Sequence, residues 1–182
     1  MDTRKWFEEN IQYRFLGCSY YTIFNKPLFD FIASKIPPEF LGREISDLGC
    51  GDGTDTLRLK EIFKAKSIKG FDYNENLLRR ATEKGIKVQR LNLTKDMPRG
   101  EMATFSYSLH HLPNKEEVLQ RAVSNFDYLF LAEPILTLFR RIFHEPGILK
   151  REEWLKLFDK ILKRYVLYGQ GHRLIVFWKR SS

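Results

Sequence analysis

The stretch ISDLGCGDGTDT, residues 45–56, constrains the fold of this 182-residue chain more than any other. A short apolar run ends at Leu48, and Gly49, Gly51 and Gly53 follow within five positions. Glycine takes φ > 0 without a Cβ clash, so the spacing predicts a tight turn from a strand into a helix starting near Thr54. The free N–H groups at such a helix start face the turn, where a polar or anionic ligand can sit. A turn that merely joins two elements would carry the same glycines, so the choice rests on what surrounds it.

Strand-length apolar runs recur at 44–48 (EISDL), 67–71 (SIKGF), 86–90 (IKVQR), 103–107 (ATFSY) and 128–132 (YLFLA). Helical patterns lie between them. Leu77, Leu78 and Ala81 are spaced for one helix face, with Asn74 suited to the N-cap and Gly85 to the residue past the end. Residues 150–162 place Trp154, Leu157, Phe158, Ile161 and Leu162 at i, i+3, i+4, i+7 and i+8. Such alternation predicts an α/β fold, a mostly parallel sheet with helices on both faces. At the end, RYVLYG (164–169) and RLIVFW (173–178) are separated only by QGH and predict an antiparallel hairpin.

No Pro/Gly/Ser-rich linker divides the chain, so one domain over residues 1–182 is expected. Residues 1–40 hold ten aromatics and are expected to form a helical cap on a core of residues 41–182. No apolar run approaches the roughly 20 residues that cross a bilayer, and residues 1–10 lack the apolar centre of a secretory signal. With only Cys18 and Cys50 available, a cytoplasmic protein without structural disulfides is the expectation. The net charge is +8, and nearly all of it falls after residue 136, where eleven basic residues face four acidic ones. That excess suits either a solvated face or an anionic partner such as RNA.

Asp72 ends the strand pattern IKGFDYN, about twenty residues past the glycine loop, where a carboxylate can accept from both hydroxyls of a ribose. Loop and acid together indicate a nucleoside ligand, with Tyr73 placed to pack on its base. The dinucleotide spacing G-x-G-x-x-G fails, because the sixth position from Gly49 is Thr54, and the phosphate loop G-x-x-x-x-G-K-[ST] is absent. A nicotinamide-binding oxidoreductase is thereby disfavoured.

What stands here, Asp47-Leu48-Gly49-Cys50-Gly51-Asp52-Gly53, resembles the D-x-G-x-G-x-G signature of class I S-adenosylmethionine-dependent methyltransferases. The resemblance runs from Ile45 to Trp178. It implies a Rossmann-like three-layer sandwich with seven strands, and S-adenosylmethionine as cofactor, leaving S-adenosylhomocysteine. It implies that Asp47, Gly49, Cys50 and Gly51 form one wall of the site, with Asp47 holding the loop and reaching toward the amino-acid end of the donor. Asp72 matches the family's ribose-binding acid. In VQRLNLTKDMP, Asn92 stands where the family carries an adenine-binding Asp, with Leu93 after it; the Asn carbonyl can accept from an exocyclic amine. ATFSYSLHHLPN matches the fourth strand and its exit, which brings Ser106 to the cofactor, and YLFLAEP matches the fifth strand.

The transfer needs alignment and exclusion of water more than a catalytic triad. The histidines and cysteines show no metal-ligand spacing, so no metal is expected. His111, leaving the fourth strand, and Glu133, ending the fifth, are the candidate bases for a hydroxyl acceptor, each with a structural role as the alternative. Tyr13, Tyr20 and Tyr21 are candidates to line a cover. SYSL replaces the [DN]-P-P-[YF] motif of enzymes that methylate the amino groups of DNA adenine or protein glutamine. No cysteine follows a proline, as a cytosine C5 enzyme would need. A small-molecule acceptor is therefore expected, with RNA and a non-catalytic cofactor-binding domain as alternatives.

Overall fold

The computed structural model describes residues 26–137 and 147–181. Tyr13, Tyr20, Tyr21 and most of the aromatic cap segment lie outside the described residues. The chain divides into two compact units, Met1–Lys35 and Ile36–Ser182. In the first, residues 26–33 are helical, with Lys26 and Asp30 paired at 2.6 Å one turn apart.

Among the described residues, the α-helices and β-strands of the second unit follow in the order β1 (Glu44–Leu48), α1 (Thr54–Ile62), β2 (Ser67–Asp72), α2 (Glu75–Glu83), β3 (Lys87–Arg90), β4 (Gly100–Ser106), α3 (Lys115–Asn125), β5 (Phe126–Pro134), α4 (Arg151–Ile161), β6 (Val166–Gln170) and β7 (Arg173–Lys179). One seven-stranded sheet runs β3-β2-β1-β4-β5-β7-β6. The first five strands are parallel and the last two join antiparallel. This is the Rossmann-like sandwich with a closing hairpin that the sequence predicts. The hairpin turn is one residue shorter than QGH, because Gln170 pairs with Arg173 and Gly171 turns the chain at φ +57.

Alternation along the strands assigns the faces. Leu48, Phe71, Ala103, Phe105, Leu129, Leu131, Leu174 and Val176 share a core with Val118, Leu119 and Ala122 of α3 and Trp154 and Phe158 of α4. Phe130 and Phe177 point the other way and meet Phe63, just past α1, at ring distances of 5.1 and 6.4 Å. At about 25 cal/mol per Å², each of these buried rings contributes a few kcal/mol of burial energy.

The expectation of helices on both faces holds for only part of the sheet. The link from β3 to β4 carries no helix, and on the α3 side Ser67 and Lys69 of β2 and Lys87 and Gln89 of β3 remain exposed. The physical reason is in the strands: every second residue there is polar, so this half-face has no apolar surface to bury. It forms a cleft of about 430 Å³ lined by Ser46, Lys69, Gln89, Met97 and Arg99. Among the described residues, no helix is long and apolar enough to cross a membrane.

Candidate active site

β1 hydrogen-bonds to β2 on one side and β4 on the other, so the chain order reverses at its carboxyl end. A crevice at that reversal is where open parallel sheets take their ligands. The glycine loop leaves β1 at this point, and its three glycines do different things. Gly49 (φ +80) lies so close to the β4 exit that a Cβ would come within 2.5 Å of Ser108 Cβ. Gly53 (φ +78) is packed against Ala81 of α2 and Ile86 just past that helix, where a Cβ would fall 3.0 Å from Ala81 Cβ and 2.2 Å from Ile86 Cδ1. Gly51 (φ +53) has nothing within 4 Å of its missing Cβ, so this bend opens onto free space.

Asp47 is 1% exposed, with one carboxylate oxygen accepting from Thr56 of α1 at 2.5 Å and the other from Thr104 of β4 at 2.7 Å. Burial, only partly offset by these two hydroxyls, pushes its carboxyl up to about 6. A carboxylate so enclosed acts on a ligand only through the loop it holds, which corrects the expectation that it reaches toward the donor. Cys50 is also turned inward, with its Sγ against Gly70, and burial pushes its thiol far up. Its N–H is already donated to Phe71 O at 3.1 Å, so neither group is offered to a ligand. Asp52 accepts from the Thr54 N–H at 3.1 Å and pairs with Lys84 at 2.7 Å, fixing the start of α1 to the end of α2.

Asp72 closes the loop. One oxygen accepts the Gly51 N–H at 2.9 Å and the other the Asn74 N–H at 2.8 Å, and the side chain is only half-buried. Each oxygen keeps a second lone pair for a ligand hydroxyl. Tyr73 stands beside it, 59% exposed, with one face of its ring under the Arg90 guanidinium at 4.8 Å. Asn92 departs from its expected role. Its Oδ1 takes both the N–H and the hydroxyl of Thr94, at 3.0 and 2.7 Å, so its two lone pairs are already filled within its own turn. Leu93 is buried in the core and its carbonyl accepts from Arg121 at 2.7 Å, so its side chain supports the turn from beneath.

The β4 exit holds the candidate catalytic groups. Ser106 donates to Asp55 Oδ2 at 3.0 Å, joining β4 to the first turn of α1. The other Asp55 oxygen is closed to water and has no partner, and burial pushes this carboxyl up to about 6. Ser108 donates to Leu48 O at 2.6 Å. Glu133 is fully buried: Oε1 accepts the N–H groups of Ser108 and Leu109 at 3.2 and 2.9 Å, and Oε2 meets His110 Nδ1 at 2.7 Å. Its reading as a base is corrected accordingly, since every oxygen is committed to the 108–110 segment. His111 is exposed, its ring 3.9 Å from that of His110. Desolvation of the ring, with His110 and Lys115 nearby, holds its imidazole down to about 4, so it is neutral at pH 7.

Sequence reasoning missed Asp55, Ser108, Tyr107 and the threonines that hold Asp47. Only Asp55 and Thr56 carried a signal, as polar residues where a helix entering the core begins.

A glycine loop at the switch point, an acid at the end of the next strand and the order β3-β2-β1-β4-β5-β7-β6 define the class I S-adenosylmethionine-dependent methyltransferase fold. Residues 45–126 match the family model of a methyltransferase domain. No curated protein sequence matches it. Solved structures share the fold at low identity. An O-methyltransferase family 2 protein from Planctomyces limnophilus in complex with apigenin is 16% identical, with a TM-score of 0.66 over 84% of this chain and 56% of that one. Human N-acetylserotonin methyltransferase in complex with S-adenosylmethionine is 13% identical, TM-score 0.70, over 90% and 53%. Magnesium protoporphyrin IX methyltransferase from Synechocystis, with bound S-adenosylhomocysteine, is 16% identical, TM-score 0.67, over 86% and 84%. The chain thus spans a little over half the length of the first two.

Proposed function

We propose that this protein is a cytoplasmic enzyme that transfers the methyl group of S-adenosylmethionine to an oxygen or nitrogen of a small molecule. The observation that carries the reading is the Asp72 carboxylate, which draws the glycine loop to the end of β2 through Gly51 while keeping lone pairs for a ribose. The residues fit the cofactor in two further respects. Gly51 leaves open space at the bend, and Asp55 carries an enclosed oxygen that an ammonium group would satisfy. When bound, the sulfonium supplies an activated methyl group.

The chain's own groups align and shield. Asp72 would hold the ribose, and Asp55 with Ser106 the amino-acid end. His111, neutral and exposed at the β4 exit, would take a proton from a hydroxyl acceptor. Two of the neighbours described above are named for small molecules and the third is in complex with one, which supports an acceptor of that size. Two of the C-terminal basic residues that first suggested RNA have internal partners. Arg180 caps the end of α3 through three carbonyls, and Lys160 pairs with Glu116 at 2.6 Å.

Calorimetry with S-adenosylhomocysteine tests the reading. The intact chain is expected to bind it, and Asp72→Ala to weaken binding by about tenfold or more, as for a lost charge-assisted hydrogen bond. Absence of binding by the intact chain would overturn the proposal.

A further inference from the structure

Arg173 opens β7, opposite Pro134 of β5 and Gln170 of β6, at the end of the sheet where the glycine loop and the β4 exit also lie. By alternation it shares the α1 face with Ile175 and Phe177. Its guanidinium stands over the ring of Tyr107, 5.9 Å from the centroid. Tyr107 is the first residue beyond β4 and holds φ +53, a conformation an aromatic L-residue seldom adopts, pinned by its N–H donating to Ala132 O at 2.9 Å. A strained residue at this exit sets its ring beneath Arg173 instead of continuing the strand.

Among the described residues, the charge above that ring has no counter-ion. Arg173 is half-buried, its Nε is closed to water without a hydrogen-bond partner, and no carboxylate pairs with it among the described residues. The acids at this end of the sheet have other partners: Glu133 the 108–110 segment, Asp47 two threonines, Asp72 the glycine loop, and Asp55, through one oxygen, Ser106. Closing the Nε–H of a guanidinium to water without an acceptor is costly, and stacking on one tyrosine returns only about 1 kcal/mol. The cost is met when a ligand brings the anion.

We propose that Arg173 receives an oxyanion, a carboxylate, carried by the methyl acceptor, with the Tyr107 ring as the apolar surface beside it. This rests on the small-molecule reading above and narrows it to an acidic acceptor with an apolar body. The planar fork of Arg matches a carboxylate through two parallel hydrogen bonds. A single half-buried guanidinium suits one such group better than the repeated phosphates of RNA, which call for a row of exposed cations.

The test compares the intact chain with Arg173→Met, which keeps the stem and removes the charge. Three results are expected of the variant: an unfolding midpoint equal to or above that of the parent, S-adenosylhomocysteine affinity within about twofold, and at least about tenfold less labelled methyl transferred into the small-molecule filtrate of a cell extract. Passing the filtrate over an anion exchanger should remove the acceptor, and its salt eluate should restore it. Phosphatase treatment of the eluate leaves a carboxylate acceptor intact and destroys a phosphate ester, so loss there moves the anion from carboxylate to phosphate and overturns that part. Full transfer to the anion-depleted filtrate, undiminished transfer by Arg173→Met, or a lowered midpoint in that variant would each overturn the inference alone. No transfer to the untreated filtrate, or label lost on ribonuclease treatment, overturns the small-molecule reading on which it rests.

Discussion

Asp47 shows how much a single position can carry without touching a ligand. It is a buried carboxyl held up at about 6 against an ordinary value of 3.8, chiefly by burial. Below the ordinary value the folded and unfolded chains are both protonated, and the group adds no pH dependence to stability. Between about 4 and 6 the unfolded chain releases this proton and the folded chain keeps it, so the group makes stability fall as pH rises. A shift of about two units corresponds to roughly 3 kcal/mol. Asp47→Asn has no such proton and keeps a carbonyl for one threonine. Urea unfolding should therefore show Asp47→Asn gaining on the parent by about 2–3 kcal/mol between pH 4 and pH 7; parallel pH profiles would contradict the assignment. The identity of this residue and of Asp72 was legible because each sits at a fixed offset from a strand end. The roles of Asn92 and Glu133 were not: Thr94 competes locally for the Asn92 carbonyl, and Glu133 meets partners 23 to 25 residues away that only the sheet brings to it.

At the scale of elements, the sequence patterns predicted β1, β2, α2, α4 and the hairpin well, because each has a recognisable period and a marked end, while for α1 the glycine turn predicted the start alone. Asn74 caps α2 by accepting from Asn76 and Leu77, as its position predicts. The β4 exit was misjudged, since Tyr107 is apolar enough to continue the strand but turns out of it. What holds that exit is β5, through Glu133. Glu133→Gln replaces one accepting oxygen with a donor that faces N–H groups, leaving at least one of them unpaired. The expected loss is about 2–4 kcal/mol of unfolding free energy, together with impaired methyl transfer. A base in contact with substrate would behave differently, losing turnover with stability unchanged, so measuring both separates the two roles.

Over the whole molecule, the alternation of strands and helices gave the sheet order its correct class, while the bare half-face went unseen. Its signal was present in the polar alternation of Ser67, Lys69, Lys87 and Gln89. It was obscured because the same strands carry apolar residues on their other side and read simply as strands. β3 is an edge of four residues with one neighbour, covered from one side by α2. Its amides are expected to exchange with deuterium faster than those of β4 and β5, and S-adenosylhomocysteine to slow them; equal protection across the three strands would count against this account. The bare face also bears on how the site responds to its ligand. Asp72 and Asn92 sit at the tips of strands propped from one side, in the manner of a cantilevered shelf, whereas the Glu133 end is clamped between layers. A load on that shelf would deflect the Asp72 end and leave the Glu133 end still, so under the proposed function fitting the donor and holding the acceptor would fall to mechanically separate halves of one sheet.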